Sequence, residues 1–225
     1  MPKPEKRKKS KAHGKHELES LIAERYRFAQ QANPHAAKRV RELDRRIRGR
    51  YERVVAPFVL DMAGFTRITM HHGIIHYLSL IHRMREICIP VVRRHKGALV
   101  KTDADNLFAH FPDVTAAVEA SLDIQETVAD ANFDTDDDFD IYACVGIGYG
   151  PVLVLDHDMW GGEFNIACKL GEDIAGSGEI LLTQAARRAL KSESYALRKR
   201  VLTLCGMSYD AWLVRGRRRA RREDA

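Results

Sequence analysis

Residues 59–69 read VLDMAGFTRIT: an apolar run stops at Asp61, and a glycine-containing turn leads on into a helical pattern. Taking an unpaired carboxylate out of water is costly, so an aspartate at the end of a buried strand is paired, bound to a metal, or set where a ligand arrives. The plainer use is a helix cap or turn former. Two more polar interruptions fall where strands end or turn. Lys101-Thr102-Asp103-Ala104-Asp105 by itself reads as a solvated β-turn. Asp158-Met159-Trp160-Gly161 is followed by Asn165 and Lys169, which lie four apart on one helix face and alone would be a surface pair. His71, His72 and His76 raise a separate metal question, since His72 and His76 are also four apart. Without a third ligand or the glutamate of a HExxH pattern they read as a polar helix face.

The elements that must position these groups follow from periodicity. Residues 17–50 carry apolar positions three and four apart on a charged background, broken by Asn33-Pro34 into two helices. A strand at 52–60 ends in the Asp61 turn, and a long helix follows over 72–94. Two short strands flank the polar turn at 101–105, and Pro112 opens a helix. After the acidic loop 134–138, DIYACVGIGYGPVLVL reads as a hairpin turning near Gly148-Tyr149-Gly150. GGEFNIACKLGEDIAG is helical, EILLT a strand, QAARRAL a helix, and YALRKRVLTL with SYDAWLVR a last hairpin. Strands joined as hairpins, without regular βαβ alternation, predict an α+β sandwich with a mostly antiparallel sheet flanked by helices. The expected organisation is a basic disordered tail (1–16), N-terminal helices (17–50), one catalytic-sized domain (51–214) and an Arg-rich tail (215–225).

Charge narrows the function. The formal net charge of +6 belongs to the tails: thirteen of the 37 Lys and Arg but only three of the 31 acids lie in residues 1–15 and 215–225. The body is therefore mildly acidic, which argues against a groove that tracks phosphate backbones. Solvated arms are the favoured reading of the tails over contacts with nucleic acid or anionic lipid. No apolar run approaches the length of a transmembrane helix, and MPKPEKRKKSKAHGK has no apolar segment behind its charges, so a soluble, non-secreted protein is expected. Cys88, Cys144, Cys168 and Cys205 are scattered, suggesting neither zinc nor disulfides and fitting a reducing cytoplasm.

Taken together, DMAGFT, KTDAD, GIGYGPV and DMWGGEFNIACKL stand in the order and spacing of the motifs of the class III nucleotidyl cyclases, and the chain resembles their catalytic domain over residues 52–214. That resemblance implies a ferredoxin-like sandwich working as a head-to-tail homodimer, and conversion of a nucleoside triphosphate to its 3′,5′-cyclic monophosphate and pyrophosphate. It implies two Mg²⁺ or Mn²⁺ per site, held by Asp61 and Asp105 with the Met62 carbonyl, and hard cations of this kind want such oxygens. It also implies that the backbone N–H groups of Ala63, Gly64, Phe65 and Thr66 face the phosphates. From the other subunit it brings Lys101 and Asp158 to read the base, Asn165 to orient the ribose, and Lys169 to meet the transition-state phosphate.

Lys101 donates and Asp158 accepts, which complements the N1 and N6 edge of adenine and mismatches guanine. ATP is the first choice. Cytosine repeats the acceptor and amine pattern, so a pyrimidine cyclase of anti-phage signalling, making cyclic CMP or cyclic UMP, is the alternative. The sequence also departs from the family. Ala104 stands at a usual glycine, Asp103 at an apolar position and Lys169 at an arginine, and only Lys199 and Arg200 offer themselves as a late triphosphate cation. These departures keep open an inactive, nucleotide-binding regulatory module.

Overall fold

The computed structural model describes residues 5–191, 194–204 and 206–218, with side-chain detail for all of these but 5–15, 204 and 207. The chain opens with two antiparallel helices, α1 (Glu5–Ala29) and α2 (Pro34–Tyr51). The predicted break falls where Asn33 caps α2, its side chain accepting from the Ala36 amide at 2.8 Å, with Pro34 in the first turn. Leu18, Leu21, Leu43, Ile47 and Tyr51 close the seam between them. Arg25 with Asp44, Arg39 with Glu24 and Arg50 with Glu17 tie their outer edges. α1 thus begins inside the segment expected to be a basic tail. Residues 1–4 and 219–225, the outermost parts of the two charged ends, lie outside the described residues, as does Cys205.

The strands form one sheet around β1 (Glu52–Met62). β2 (Ala98–Asp103), β3 (Asn106–Phe111), β1, β4 (Ala143–Ile147), β7 (Ile180–Leu182), β9 (Met207–Arg217) and β8 (Tyr195–Leu204) lie side by side, and only the β4–β7 pair is parallel. β5 (Gly150–Leu155) pairs with the first half of β1 and, on its other side, with β6 (Asp158–Trp160). β4 and β5 therefore do not form the predicted hairpin. They run consecutively along one edge of β1, β4 against Phe58–Met62 and β5 against Glu52–Val55, with a kink at 148–149 instead of a reversal.

Alternation along β1 divides the core. Ala56, Phe58, Leu60 and Met62 face a cluster completed by α4 (Ile74–Arg94) and α5 (Val114–Phe133). Val55 and Val59 face the opposite side, where α6 (Gly162–Cys168) and β6 pack. Period-two geometry then puts Asp61 on the α6 side, at the strand end where the hydrophobic cover stops. Downstream the chain forms α3 (Phe65–His72) before α4, with Gly73 between them at φ 81°. The single helix expected over 72–94 is thus preceded by a separate short one. α7 (Gln184–Ala189) follows β7 as predicted, capped by the Thr183 hydroxyl.

Candidate active site

Asp61 and Asp105 come together although 44 positions separate them in the sequence. Burial pushes the Asp61 carboxyl up to about 7, and the next contribution is the charge of Asp105; a hydrogen bond from the Met62 backbone pulls the other way. The β2–β3 turn sets Asp105 beside it. Asp103 pairs with Asn106 across that turn and is exposed, so Asp105, the residue that spacing from Lys101 favours, is the one directed to Asp61. Ala104 holds φ 46°, the left-handed conformation that the alanine-for-glycine departure leads one to expect. The hydroxyl of Tyr77, on α4, donates to Asp105 Oδ2 at 2.6 Å. Burial first, and then that carboxylate, drive the Tyr77 phenol far up, so it remains a donor.

Two further acids surround the pair. Glu172 and Asp173 both push Asp61 up, and Glu172 is itself raised, chiefly by burial. Sequence reasoning passed over them; the only signal is two acids within one turn of Lys169. Among the described residues no Lys or Arg pairs with Asp61 or Asp105, and no ready-made cluster of three or more His, Cys, Asp or Glu encloses a metal. Two carboxylates without a fixed cation suit a hard divalent ion that draws its remaining oxygens from water and substrate phosphates. That donor chemistry fits Mg²⁺ or Mn²⁺, with Met62, the last residue of β1, adjacent.

The turn after Asp61 leads into α3. Gly64 sits at its N-terminus with φ 95°, a conformation that disfavours any side chain. The Ala63 amide is not free, since it donates to the Tyr142 carbonyl at 2.9 Å and prolongs the β1–β4 ladder. That leaves Gly64, Phe65 and Thr66 at the exposed helix start, where first-turn amides have no intrahelical acceptor. The Phe65 ring packs edge-on to Tyr77, 4.8 Å between centroids.

Lys101 and Asp158 form the second group. β2 and β6 bring Lys101 Nζ to 3.0 Å from Asp158 Oδ1, and the same oxygen accepts from the Met159 amide. Lys101 also lies 5.2 Å above the Phe108 ring. A cavity of about 530 Å³ opens beside this pair, bounded by Val100, Asp158, half-exposed Trp160, His110 and Arg50. Asn165 on α6 and Lys169 just after its last residue are both exposed, and the Lys169 amide still bonds the Asn165 carbonyl. The Lys169 ammonium bonds Asp173 at 2.5 Å. From Lys169 to Ile174 the helix widens by one residue per turn, Ala175 N–H reaching Leu170 O.

What lets α6 lie so close to the sheet is glycine. A Cβ on Gly146 would sit 2.1 Å from the Ala167 carbonyl oxygen and 2.6 Å from the Gly171 nitrogen, both backbone atoms. Cys168, on the same helix, has its thiol pushed up to about 12, first by burial and then by Glu172, so it offers no thiolate.

The remaining residues singled out in the sequence do other work. His72 Nε2 lies 3.4 Å from Asp138 Oδ1, and His76 Nε2 lies 2.7 Å from the Asp138 carbonyl and packs on Phe139. Together they dock the acidic loop against α3 and α4. Lys199 pairs with Asp210 at 2.6 Å, and Arg200 grips both oxygens of Glu179, so each is committed to an ion pair on the β8 side of the sheet.

No family model matches the chain. Its sequence is 28% identical over 131 residues to "Putative adenylate cyclase 3" of Rhizobium meliloti (strain 1021), a match spanning 58% of this chain but 22% of that protein's length. Solved structures are nearer in length. The adenylate/guanylate cyclase/hydrolase from Silicibacter pomeroyi superposes with TM-score 0.64 at 23% identity, covering 72% of this chain and 96% of the other. The adenylyl cyclase CyaB from P. aeruginosa gives 0.63 at 18%, covering 75% and 96%. The guanylate cyclase domain of RhGC from Catenaria anguillulae, solved with GTP, gives 0.62 at 18%, covering 74% and 99%. The chain has the class III nucleotidyl cyclase fold. The cyclase fold fills almost all of each neighbour and leaves part of this chain beyond it. Its layout agrees with the predicted α+β sandwich, a mostly antiparallel sheet flanked by helices. Among the described residues no helix is long and apolar enough to cross a membrane.

Proposed function

We propose that the protein is a nucleotidyl cyclase that converts ATP to 3′,5′-cyclic AMP and pyrophosphate, at composite sites formed by two head-to-tail copies. The observation that carries this reading is the Asp61–Asp105 pair, two carboxylates held together at a strand end on a cyclase fold. Such mutual repulsion costs the fold stability unless a cation arrives. Asp61 and Asp105, with the Met62 carbonyl, would hold two Mg²⁺ or Mn²⁺. When bound, the ions supply a lowered pKa for the attacking 3′-hydroxyl and neutralise the leaving pyrophosphate.

The chain's own groups do the rest. The amides of Gly64, Phe65 and Thr66 at the start of α3 receive the β- and γ-phosphates. Across the dimer Lys101 donates to adenine N1 and Asp158 accepts from the N6 amine. Their bond to one another at 3.0 Å keeps both partly buried groups paired until a base replaces each partner. Asn165 orients the ribose and Lys169 brings positive charge to the phosphate, leaving Asp173 to do so. One chain carries both halves of the set, which supports a homodimer with two equivalent sites.

The test is to incubate the purified protein with Mn²⁺ and ATP, GTP, CTP or UTP in turn and identify products by chromatography and mass. Cyclic AMP from ATP is expected. Cyclic CMP as the main product would replace the adenine reading by the pyrimidine one that cytosine's edge allows, and cyclic UMP would place the chain with the pyrimidine cyclases while overturning the base-reading roles of Lys101 and Asp158. Cyclic GMP would overturn the roles of Lys101 and Asp158, and no product from any nucleotide would make this fold a binding module.

A further inference from the structure

α4 reaches the β2–β3 turn twice. From Tyr77, which is 1% exposed, the phenol donates to Asp105 Oδ2 at 2.6 Å. From Arg85, two turns further on, Nη2 donates to the Ala104 carbonyl at 2.5 Å. Eight residues of helix separate the two by about 12 Å along the axis, yet their long side chains converge on adjacent residues of one turn. That turn needs holding. Ala104 stands at φ 46°, in the left-handed region that an alanine avoids, and the next residue is the carboxylate beside Asp61. Left alone, the turn relaxes toward ordinary φ and swings Asp105 with it. Arg85 Nε is buried without a hydrogen-bond partner, a cost accepted at a position where the guanidinium reaches Ala104.

We propose that Tyr77 and Arg85 form a positioning clamp: Arg85 holds the Ala104 carbonyl so that the turn stays left-handed, and Tyr77 fixes one Asp105 oxygen so that the other faces the cation site. The clamp rests on the reading of Asp61 and Asp105 as metal carboxylates. Neither clamp residue touches substrate. Partners of this kind orient a ligand, and losing one typically costs 10–100-fold in metal affinity. Tyr77 extends the clamp to the phosphate loop, because its ring packs edge-on against Phe65, the first residue of α3. Position of the carboxylate and position of the phosphate-facing amides are thereby set by one side chain. The clamp also accounts for an alanine at a position whose φ favours glycine: two contacts from α4 supply the restraint that lets a residue with a Cβ keep the required backbone.

The experiment measures Mn²⁺ binding by loss of the free-ion EPR signal, with the inert analogue α,β-methylene-ATP present, and records thermal midpoints in EDTA beside it. Tyr77→Phe should weaken Mn²⁺ about tenfold with its affinity for the analogue without metal unchanged, since the ring still packs on Phe65. Tyr77→Leu should weaken both. Arg85→Met should weaken Mn²⁺ about tenfold in the native background and less than about twofold in the Ala104→Gly background, where the turn no longer needs restraint. Asp105→Asn separates the failures. If it loses Mn²⁺ while Tyr77→Phe and Arg85→Met bind like wild type, the clamp is wrong and the site stands. Should Arg85→Met weaken Mn²⁺ equally in both backgrounds, restraint of the left-handed turn is refuted. If Asp105→Asn binds Mn²⁺ like wild type, the site reading falls and the clamp with it.

Discussion

Replacing Asp61 by asparagine should move stability and activity in opposite directions. Burial, then the charge of Asp105, raise the Asp61 carboxyl from an ordinary 3.8 to about 7, and Glu172 and Asp173 add to the same side. An acid whose pKa is higher in the folded state than in the unfolded one binds its proton more tightly when folded, so ionising it weakens the fold. The penalty is absent below the unfolded value of 3.8, grows as pH rises, and is complete above about 7. Each pH unit of that window is worth about 1.4 kcal/mol, about 4 kcal/mol in all, which solvent screening at a partly exposed side chain reduces to about 2 kcal/mol. Asparagine keeps the shape and an acceptor for the Met62 backbone while removing the charge.

In EDTA at pH 8 the Asp61→Asn protein should therefore melt about 4–8 °C above wild type, a chain of this size gaining about 2–4 °C per kcal/mol. The gap should close as pH falls toward 4. Added Mn²⁺ with nucleotide should raise the midpoint of wild type and leave that of the variant nearly unmoved. Turnover should drop by roughly 10³-fold, the scale of several kcal/mol of lost transition-state stabilisation. Calorimetric scans at pH 4, 6 and 8 decide the matter. A variant that melts at or below wild type at pH 8, or a gap that does not shrink toward pH 4, refutes the picture of a repulsive acidic pair awaiting a cation.

Other expectations can be checked with simpler readouts. Mixing Asp61→Ala and Asn165→Ala subunits should restore up to about a quarter of wild-type activity if sites are composite and subunits pair at random; a heterodimer verified by mass that stays inactive counts against it. Gly146→Ala drives a methyl into the Ala167 carbonyl and the Gly171 nitrogen, so a loss of about 2–4 kcal/mol in denaturant unfolding is expected, and a change under about 1 kcal/mol would mean that α6 can lift off the sheet cheaply. Lys199→Ala breaks only a half-exposed pair with Asp210, so stability should change by less than about 1 kcal/mol and KM for ATP by less than twofold; a tenfold rise in KM would return Lys199 to the triphosphate site.

Much of the candidate site is legible in one dimension because its groups are local. Asp61 ends an apolar run, Gly64 follows within the turn, Asn165 and Lys169 share a helix face, and each reading needs only a few neighbouring residues. What escapes is set by contacts between distant segments. The run ACVGIGYGPVLVL alternates like a hairpin, and Gly148 and Gly150 look like its turn, but β1 is long enough to pair with both halves at once, so the chain goes straight on. The glycines answer a different need, the approach of α6, which no local pattern encodes. The same holds for charge. His72 and His76 show a metal-like spacing whose actual partner, Asp138, lies 62 positions beyond His76 and turns them into a dock for the acidic loop. Glu172 and Asp173 look like solvated helix residues until the sheet sets them against Asp61. Local patterns name the groups that can do chemistry, but the acidity of Asp61 comes first from burial and then from three other carboxylates drawn from two other stretches of chain. Its size follows from their packing, which is why a measurement on Asp61→Asn tests the assembled site and not the motif.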